Sequence, residues 1–203
     1  MKIGPRYKIA RRLGAHVFEK TQTEKFALSE SRRTIKQRKH PKSVTDFALQ
    51  LLEKQRVRFS YGIGEQQFRR YVREAGKQKI QPPSDALFRS LEMRLDNVIY
   101  RLGIAPTRRA ARQMVSHGHF LVNGVRTTVP SYAVQKGSSI TIREGSSTSP
   151  LFENLSERLQ DRPVPAWLSF DSGTKTASAS DFPVRDLASS PFDLVSVIEF
   201  YSR

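Results

Sequence analysis

The chain has no cysteine, and its 203 residues include one tryptophan and three methionines. Without cysteine there can be no disulfide, no thiolate metal ligand and no cysteine nucleophile. No apolar run approaches the ~20 residues that cross a bilayer. The first twenty residues, MKIGPRYKIARRLGAHVFEK, are basic but hold no long apolar stretch, so they do not read as a secretory signal. They are not serine-rich like a transit peptide either. A G-x-S-x-G nucleophile elbow and a glycine-rich phosphate loop are both missing. Acidic residues are scarce, with 19 Asp+Glu against 35 Lys+Arg. These absences leave a cytoplasmic chain with no membrane partner as the expectation.

The surplus of base is the strongest signal present. The net charge is +16 and the pI is about 10.6, far beyond what solubility requires. Such a balance favours a polyanionic partner, with nucleic acid ahead of a membrane surface. The charge is uneven. Residues 1–80 carry 21 Lys+Arg and 7 Asp+Glu, residues 81–143 carry 9 and 3, and residues 144–203 carry 5 and 9. The partner is therefore expected on the first two thirds.

Hydrophobic spacing outlines an α+β chain: a mainly helical N-terminal region, then a compact module of two helices packed on short antiparallel strands. Residues 1–42 are a basic segment of weak periodicity, the kind that is often ordered only by its partner. Residues 43–92 are a helical domain. Ser43 with Asp46 resembles a capping box, and Val44, Phe47, Ala48, Leu51 and Leu52 form the expected inner face. A second helix follows in EQQFRRYVREAGKQK, with Phe68, Val72 and Ala75 inward and Gly76 as its expected C-cap. One continuous helix is expected from ALFRSLEMRLDNVIYRLG, with Leu91, Leu95, Val98 and Leu102 buried. Thr107 should cap the next helix, whose Ala111, Met114 and Val115 face in. Residues 93–155 make the module, and Asn123-Gly124 is its hairpin turn, because both turn positions need positive φ. Residues 156–203 are a C-terminal segment of helix and strands packing back on the helical domain. Within it SPLFENLSERL reads as helix, SGTKTASASDFPVRD as a low-complexity loop, and DLVSVIEFYSR as an alternating strand.

The candidate nucleic-acid contacts follow the bases along these elements. Arg11 and Arg12 lie in the first segment. Lys54 and Arg58 share a stripe on the third helical stretch, with Arg56 beside them. Arg69, Arg73 and Lys77 recur every four residues as a cationic stripe, next to Arg70. That stripe repels itself unless a ligand neutralises it. Arg94 opens the module. Arg108 and Arg112 are expected on one outer stripe, and Arg109 joins Arg108 at a helix N-terminus that also presents backbone N–H groups to an anion. His117, His119, Asn123, Arg126 and Lys136 complete the set around the hairpin. A solvated surface is the competing reading for each arginine taken alone. Catalysis at His117 and His119 lacks a paired group, and the two rings are expected to point apart. Zinc lacks a ligand set. No cofactor is expected, and an irregular RNA suits scattered arginines better than duplex DNA does.

EKQRVRFSYGIGEQQFRRY, RLDNVIYRLGIAPTRRAARQMVSHGHFLVNG, PSYAVQKGSSITIRE, PAWLSFD and VIEFYSR occur in that order. Together they resemble the bacterial-type small-subunit ribosomal protein number four family, over roughly residues 42–203. Arg94 to about Glu144 resembles the family's RNA-binding module, which also serves RNA-modifying enzymes and a stress RNA binder. The block upstream of it is more specific to the ribosomal protein. The resemblance implies a non-enzymatic constituent of the small subunit that binds rRNA early at a 5′-domain helix junction and nucleates assembly. It also implies a contact with small-subunit protein five that bears on translational accuracy, and a place near mRNA at the entry channel. Many relatives carry an N-terminal zinc-binding cysteine cluster, so a cysteine-free chain groups with the zinc-free members. An RNA-modifying enzyme and a free-standing stress factor are the alternatives. The enzyme reading needs a catalytic domain, and the roughly fifty residues after the module are Ser-rich and poor in catalytic constellations.

Overall fold

The computed structural model describes residues 3–36, 45–153, 155, 159, 164–171, 173–186 and 191–202. The elements in chain order are α1 (Arg6–Leu13), α2 (Glu24–Lys36), α3 (Asp46–Tyr61), α4 (Glu65–Lys77), α5 (Pro83–Glu92), α6 (Leu95–Arg101) and α7 (Arg108–Ser116). Then come β1 (Phe120–Val122), β2 (Val125–Arg126), β3 (Ser139–Ile142), α8 (Glu144–Ser147), β4 (Leu168–Asp171), β5 (Thr176–Ala179) and α9 (Leu194–Ser202). The class is α+β, as expected. The chain divides into two compact units, residues 1–87 with 186–203, and residues 88–185, so the division falls within α5.

In the first unit the basic N-terminal segment is not structureless among its described residues. Ala10, Leu13, Val17, Phe18 and Phe26 form a small apolar cluster to which Leu52 and Phe59 of α3 add. Few as they are, these side chains are enough to define α1 and α2 against α3. The Ser43 cap and Val44 lie outside the described residues. The cap seen is Thr45, whose Oγ1 accepts from Ala48 N. The buried face of α3 is only partly the one expected, for Leu52 packs inward and Ala48 and Leu51 are half-buried. Phe47 is exposed, and Gln50, Lys54, Val57 and Tyr61 are buried instead. The apolar spacing misled because the face is partly polar: Gln50 Nε2 donates to Glu199 at 2.9 Å and Lys54 Nζ to Glu65 at 2.9 Å. On α4, Phe68, Tyr71, Val72 and Ala75 are buried, and the helix runs past Gly76 to Lys77.

The C-terminal stretch expected as a strand is helix α9. Leu194 and Val197 are buried and Ile198 and Tyr201 half-buried, which is helical spacing. The start is set by Asp193, which accepts from Val195 N at 3.0 Å and Ser196 N at 3.2 Å, and from Ser196 Oγ at 2.6 Å. Phe200 then packs on Phe47 with ring centroids 5.5 Å apart.

The second unit is built on a five-stranded antiparallel sheet in the order β2-β1-β3-β5-β4. Phe120, Val122, Ile140 and Ala177 point from it into a core shared with Leu95, Val98, Ile99 and Leu102 of the α6 turn and Ala111, Met114 and Val115 of α7. Asn123 (φ 50) and Gly124 (φ 80) make the predicted hairpin turn. Asn123 Oδ1 also accepts from Ser139 N at 2.8 Å, which ties the turn to β3. Two expectations fail here, and a third is met in part. The low-complexity loop contains β5, which completes the sheet. Of the helix expected in SPLFENLSERL, the described part is a 3-10 turn at Pro150–Phe152, with Leu155 and Leu159 helical and the rest outside the described residues. The single helix over residues 86–103 is two. Arg94 is extended (φ −70, ψ 138) and bridges Ala133, Leu95 N donates to Tyr132 O, and Val134 N donates to Met93 O. The segment around residues 130–134 offers these groups partners that a continuous helix would have to forgo.

Asp193→Ala should cost the first unit about 1 kcal/mol through the lost cap. Urea denaturation followed by circular dichroism reads it. An unchanged midpoint would show that packing alone sets the start of α9.

Candidate nucleic-acid interface

In the second unit the helices carrying the basic motif are joined by buried charge. Asp96, 2% exposed, accepts from Arg94 Nε (3.0 Å) and Nη2 (2.8 Å), and from Arg112 Nε (2.8 Å) and Nη2 (2.6 Å). Glu92, also buried, accepts from Arg101 Nε (2.7 Å) and Nη2 (2.8 Å) and from Asn97 Nδ2 (3.0 Å). Asn97 Oδ1 accepts from Arg108 Nε at 2.8 Å, and the Arg108 guanidinium lies 4.4 Å from the centre of the Tyr100 ring. Arg94 is therefore inside the unit. Arg108 and Arg112 are half-buried and turned onto α6, not raised on a free outer stripe. A carboxylate buried with arginine forks holds them in fixed orientation, and this geometry stands in for the solvated stripe expected. Glu92, Asn97 and Arg101 were not among the expected residues. Their pairing crosses the break between α5 and α6, which no helical periodicity reveals.

In the first unit Lys54 is buried and Arg58 and Arg56 half-buried. Glu65 Oε1 accepts from Lys54 Nζ at 2.9 Å and from Tyr201 Oη at 2.7 Å, while Oε2 lies 3.2 Å from Arg58 Nη1. Lys54 Nζ also sits 4.6 Å from the Phe200 ring centre. Arg56 Nε donates to Leu13 O at 2.8 Å and pairs with Glu53, which ties α3 to the end of α1. Burial by itself raises the Glu65 carboxyl. The hydrogen bonds from Tyr201 and Lys54 and the charges of Lys54 and Arg58 outweigh it, and the net direction is down. Burial and the bond to Glu65 push the Tyr201 phenol up.

The cations that do face outward form a shorter set. Arg69, Arg73 and Lys77 are exposed along α4, opposite its buried Phe68, Val72 and Ala75. Arg70 is exposed beside them and reaches Glu74 at 3.5 Å. Arg12 is exposed on α1, where Arg11 pairs with Glu30 at 3.1 Å. In the second unit Arg109, His117, Asn123, Arg126 and Lys136 are exposed, and Lys136 pairs with Asp181 at 2.8 Å.

His117 and His119 do not point apart. Their ring centroids are 5.9 Å from each other. Gly118 (φ +73) makes the turn between α7 and β1, and the Arg126 guanidinium lies across it, donating to His117 O at 3.4 Å. His119 Nδ1 is 2.9 Å from Ser146 Oγ, to which Arg143 Nε donates at 3.4 Å. Burial first, then the cationic neighbours His117, Arg143 and Arg126, hold the His119 imidazole below its usual value. The His119–Ser146 pair is not a poised nucleophile: Ser146 is 2% exposed and its oxygen is shared with Arg143. Among the described residues no three His, Asp or Glu gather as a metal site, and no helix is long and apolar enough to cross a membrane.

Two family models match end to end. The model described as ribosomal protein S4/S9 N-terminal domain covers residues 1–92, and the S4 domain covers residues 93–140. Curated relatives are similar over most of their length. The small ribosomal subunit protein uS4 of Nocardia farcinica is 48% identical over 159 residues, 78% of this chain and 79% of the relative. The protein of the same name from Persephonella marina is 41% identical over 204 residues, 98% of each. That from Aquifex aeolicus is 39% identical over 210 residues, 99% of this chain and 98% of the relative.

Asp96→Asn should destabilise the second unit by about 3–5 kcal/mol, because two guanidinium groups lose their shared buried counter-charge. Denaturant titration checks this, and a cost under about 1 kcal/mol would mean water reaches the site. The acid side should depend on Glu65. A carboxyl held below its unfolded value adds stability that is full above the unfolded pKa and lost as pH falls through the folded one. Melting temperature should therefore drop as pH falls below the ordinary glutamate range, and Glu65→Gln should flatten that drop. Parallel curves for the two proteins would show that Glu65 contributes nothing to it.

Proposed function

The chain belongs to the uS4 family of small ribosomal subunit proteins, and on that premise we propose that it binds small-subunit rRNA directly and early, at a 5′-domain helix junction. It is a structural protein of the small ribosomal subunit and not an enzyme. The observation that carries rRNA contact is the stripe of Arg69, Arg73 and Lys77. It is exposed on a helix whose other face is buried, and it costs helix stability unless an anion neutralises it. Arg12, Arg70, Arg109, Arg126 and Lys136 add exposed charge for phosphates, and Arg108 and Arg112 offer their outward edges from α7.

Lys54, Arg56, Arg58 and Arg94 serve rRNA indirectly in this reading, by fixing the elements that carry the exposed bases. His117, His119 and Asn123 lie at the hairpin beside Arg126, where a phosphate or ribose hydroxyl can be reached. Early binding makes the protein a nucleus for subunit assembly. Its remaining surface meets neighbouring ribosomal proteins, with small-subunit protein five as the partner that links it to translational accuracy. mRNA at the entry channel is a further contact, and the location is the cytoplasm.

Binding to a transcript of the rRNA 5′ domain should weaken steeply with salt. With about eight phosphates neutralised, log K against log[salt] should have a slope of roughly −6 to −7. Arg69→Gln, Arg73→Gln and Lys77→Gln together should make that slope shallower by about 2–3, with circular dichroism unchanged. A slope near zero in the unaltered protein would refute electrostatic rRNA binding.

A further inference from the structure

We propose that His117, His119, Arg126 and Arg143 form one phosphate-binding site for the RNA backbone, and that filling it takes up a proton from solvent. The proposal rests on the rRNA-binding reading and deepens it.

The four side chains come from separate elements, and the fold brings them together at the exit of α7. His117 is the C-cap of that helix, His119 leads into β1, Arg126 ends β2 and Arg143 follows β3. The two rings are 5.9 Å apart, and Arg126 is drawn against Gly118 between them. A β-carbon at Gly118 would lie 2.6 Å from Arg126 Nη2, so the absence of a side chain there is what lets the guanidinium lie against the turn. Arg143 is held from the other side: its backbone N donates to His119 O at 2.9 Å, and its Nε shares Ser146 Oγ with His119 Nδ1.

The titratable groups facing His119 are all basic: His117, Arg126 and Arg143. The acidic residue of the neighbouring α8, Glu144, is exposed and is not among them. Arg126 and Arg143 have no carboxylate partner among the described residues. This distinguishes them from Arg94, Arg101 and Arg112, whose charge is answered inside the fold. Two guanidinium groups with no carboxylate partner, beside two imidazoles that can donate, make a site whose missing component is an anion.

The hydrogen bonding of Ser146 explains the proton. With Arg143 donating to Ser146 Oγ, the hydroxyl proton can be given to His119 Nδ1, an assignment that leaves the ring N–H on Nε2. Phe152, edge-on to the ring at 5.9 Å, limits its hydration. In the free protein, burial and the basic neighbours oppose protonation. A phosphate placed among them reverses the sign of the local field, so the imidazolium becomes the favoured form. The proton then joins Nδ1, and the Ser146 hydroxyl turns to accept from it. Because the imidazole pKa is higher with RNA than without, affinity is greatest at low pH and falls as pH rises through the bound-state pKa.

The test uses the full chain and a 5′-domain rRNA transcript at constant ionic strength. Affinity should fall about threefold to tenfold between pH 6 and pH 8, and His117→Gln with His119→Gln should remove most of that dependence. Arg143→Gln should make the salt slope shallower by about one while leaving the α4 contribution in place. Because the double variant can lose the Ser146 contact and misfold, NMR titration of the imidazoles in the unaltered protein supplies an independent measurement. The His119 pKa should rise when the transcript binds. Tight binding with no pH dependence, pH dependence that survives the double variant, or a His119 pKa unmoved by RNA would each overturn this site while leaving rRNA binding intact. Failure to bind the transcript at any pH would instead overturn the rRNA-binding reading itself.

Discussion

The second unit is organised by one carboxylate. Asp96 is almost wholly buried and receives four hydrogen bonds from two guanidinium groups. Leaving such a carboxylate alone in the interior would cost several kcal/mol, and the buried Arg94 would be similarly costly without it, the half-buried Arg112 less so. The three groups are therefore tolerated only together. Their positions then dictate the architecture. Arg94 can reach Asp96 because its backbone is extended and paired with Ala133, so the break between α5 and α6 is part of the same arrangement. Arg112 comes from α7, so the bond that neutralises Asp96 also fixes α7 on α6. Glu92 and Asn97 repeat the device for Arg101 and Arg108. Apolar packing of Leu95, Val98, Ala111 and Val115 supplies the attraction between the two helices, and the buried charges select the register.

Much of this fold is legible in the sequence where one principle dominates. The inner face of α7, its Thr107 cap and the Asn123-Gly124 turn follow from spacing and turn chemistry, and so does the inner face of α4. Legibility stops where polar groups are buried. Arg108 and Arg112 share a helix stripe, and a stripe of arginines reads as solvated. Only the tertiary fold shows Asp96 and Asn97 beneath them. The same blindness affected α3, where Gln50 and Lys54 face inward because Glu199 and Glu65 arrive from distant parts of the chain. α9 failed for a different reason. Leu194, Val197, Ile198 and Tyr201 fit helical spacing, but Val195, Val197 and Ile198 are β-branched and also suit a strand. Asp193 and Ser196 resolve the ambiguity by satisfying the first turn of the helix.

The first unit shows how a chain so rich in base keeps a stable helical core. Glu65 gathers Lys54, Arg58 and the Tyr201 hydroxyl around one carboxylate, and the ring of Phe200 covers the Lys54 ammonium. Cation and aromatic face attract, and burial strengthens the contact. The C-terminal helix is thus tied to α3 and α4 by the residues that would otherwise make this region repel itself. Phe47 follows from this arrangement: it lies off the main buried face of α3, and its partner is Phe200 from α9. A residue whose packing partner is some 150 positions away cannot be assigned a face from local spacing.

Counting Lys and Arg therefore overstates how many bases are left for RNA. Of the 35 in the chain, Arg94, Arg101 and Arg112 answer Glu92 and Asp96, while Lys54 and Arg58 answer Glu65 and Arg56 answers Glu53. A cation already neutralised within the fold releases fewer counter-ions when it meets a phosphate, so it adds little to the salt dependence of binding. It contributes rigidity instead, because a guanidinium held by a buried carboxylate loses less entropy when a ligand uses its outer N–H groups. The exposed cations of α4 and those around His117 and His119 have the opposite character, with large electrostatic gain and little preorganisation from carboxylates. In the proposed rRNA-binding role, affinity would divide between two kinds of base, one that sets shape and one that supplies charge. The burial of the acidic residues, more than the number of basic ones, decides which arginine belongs to which.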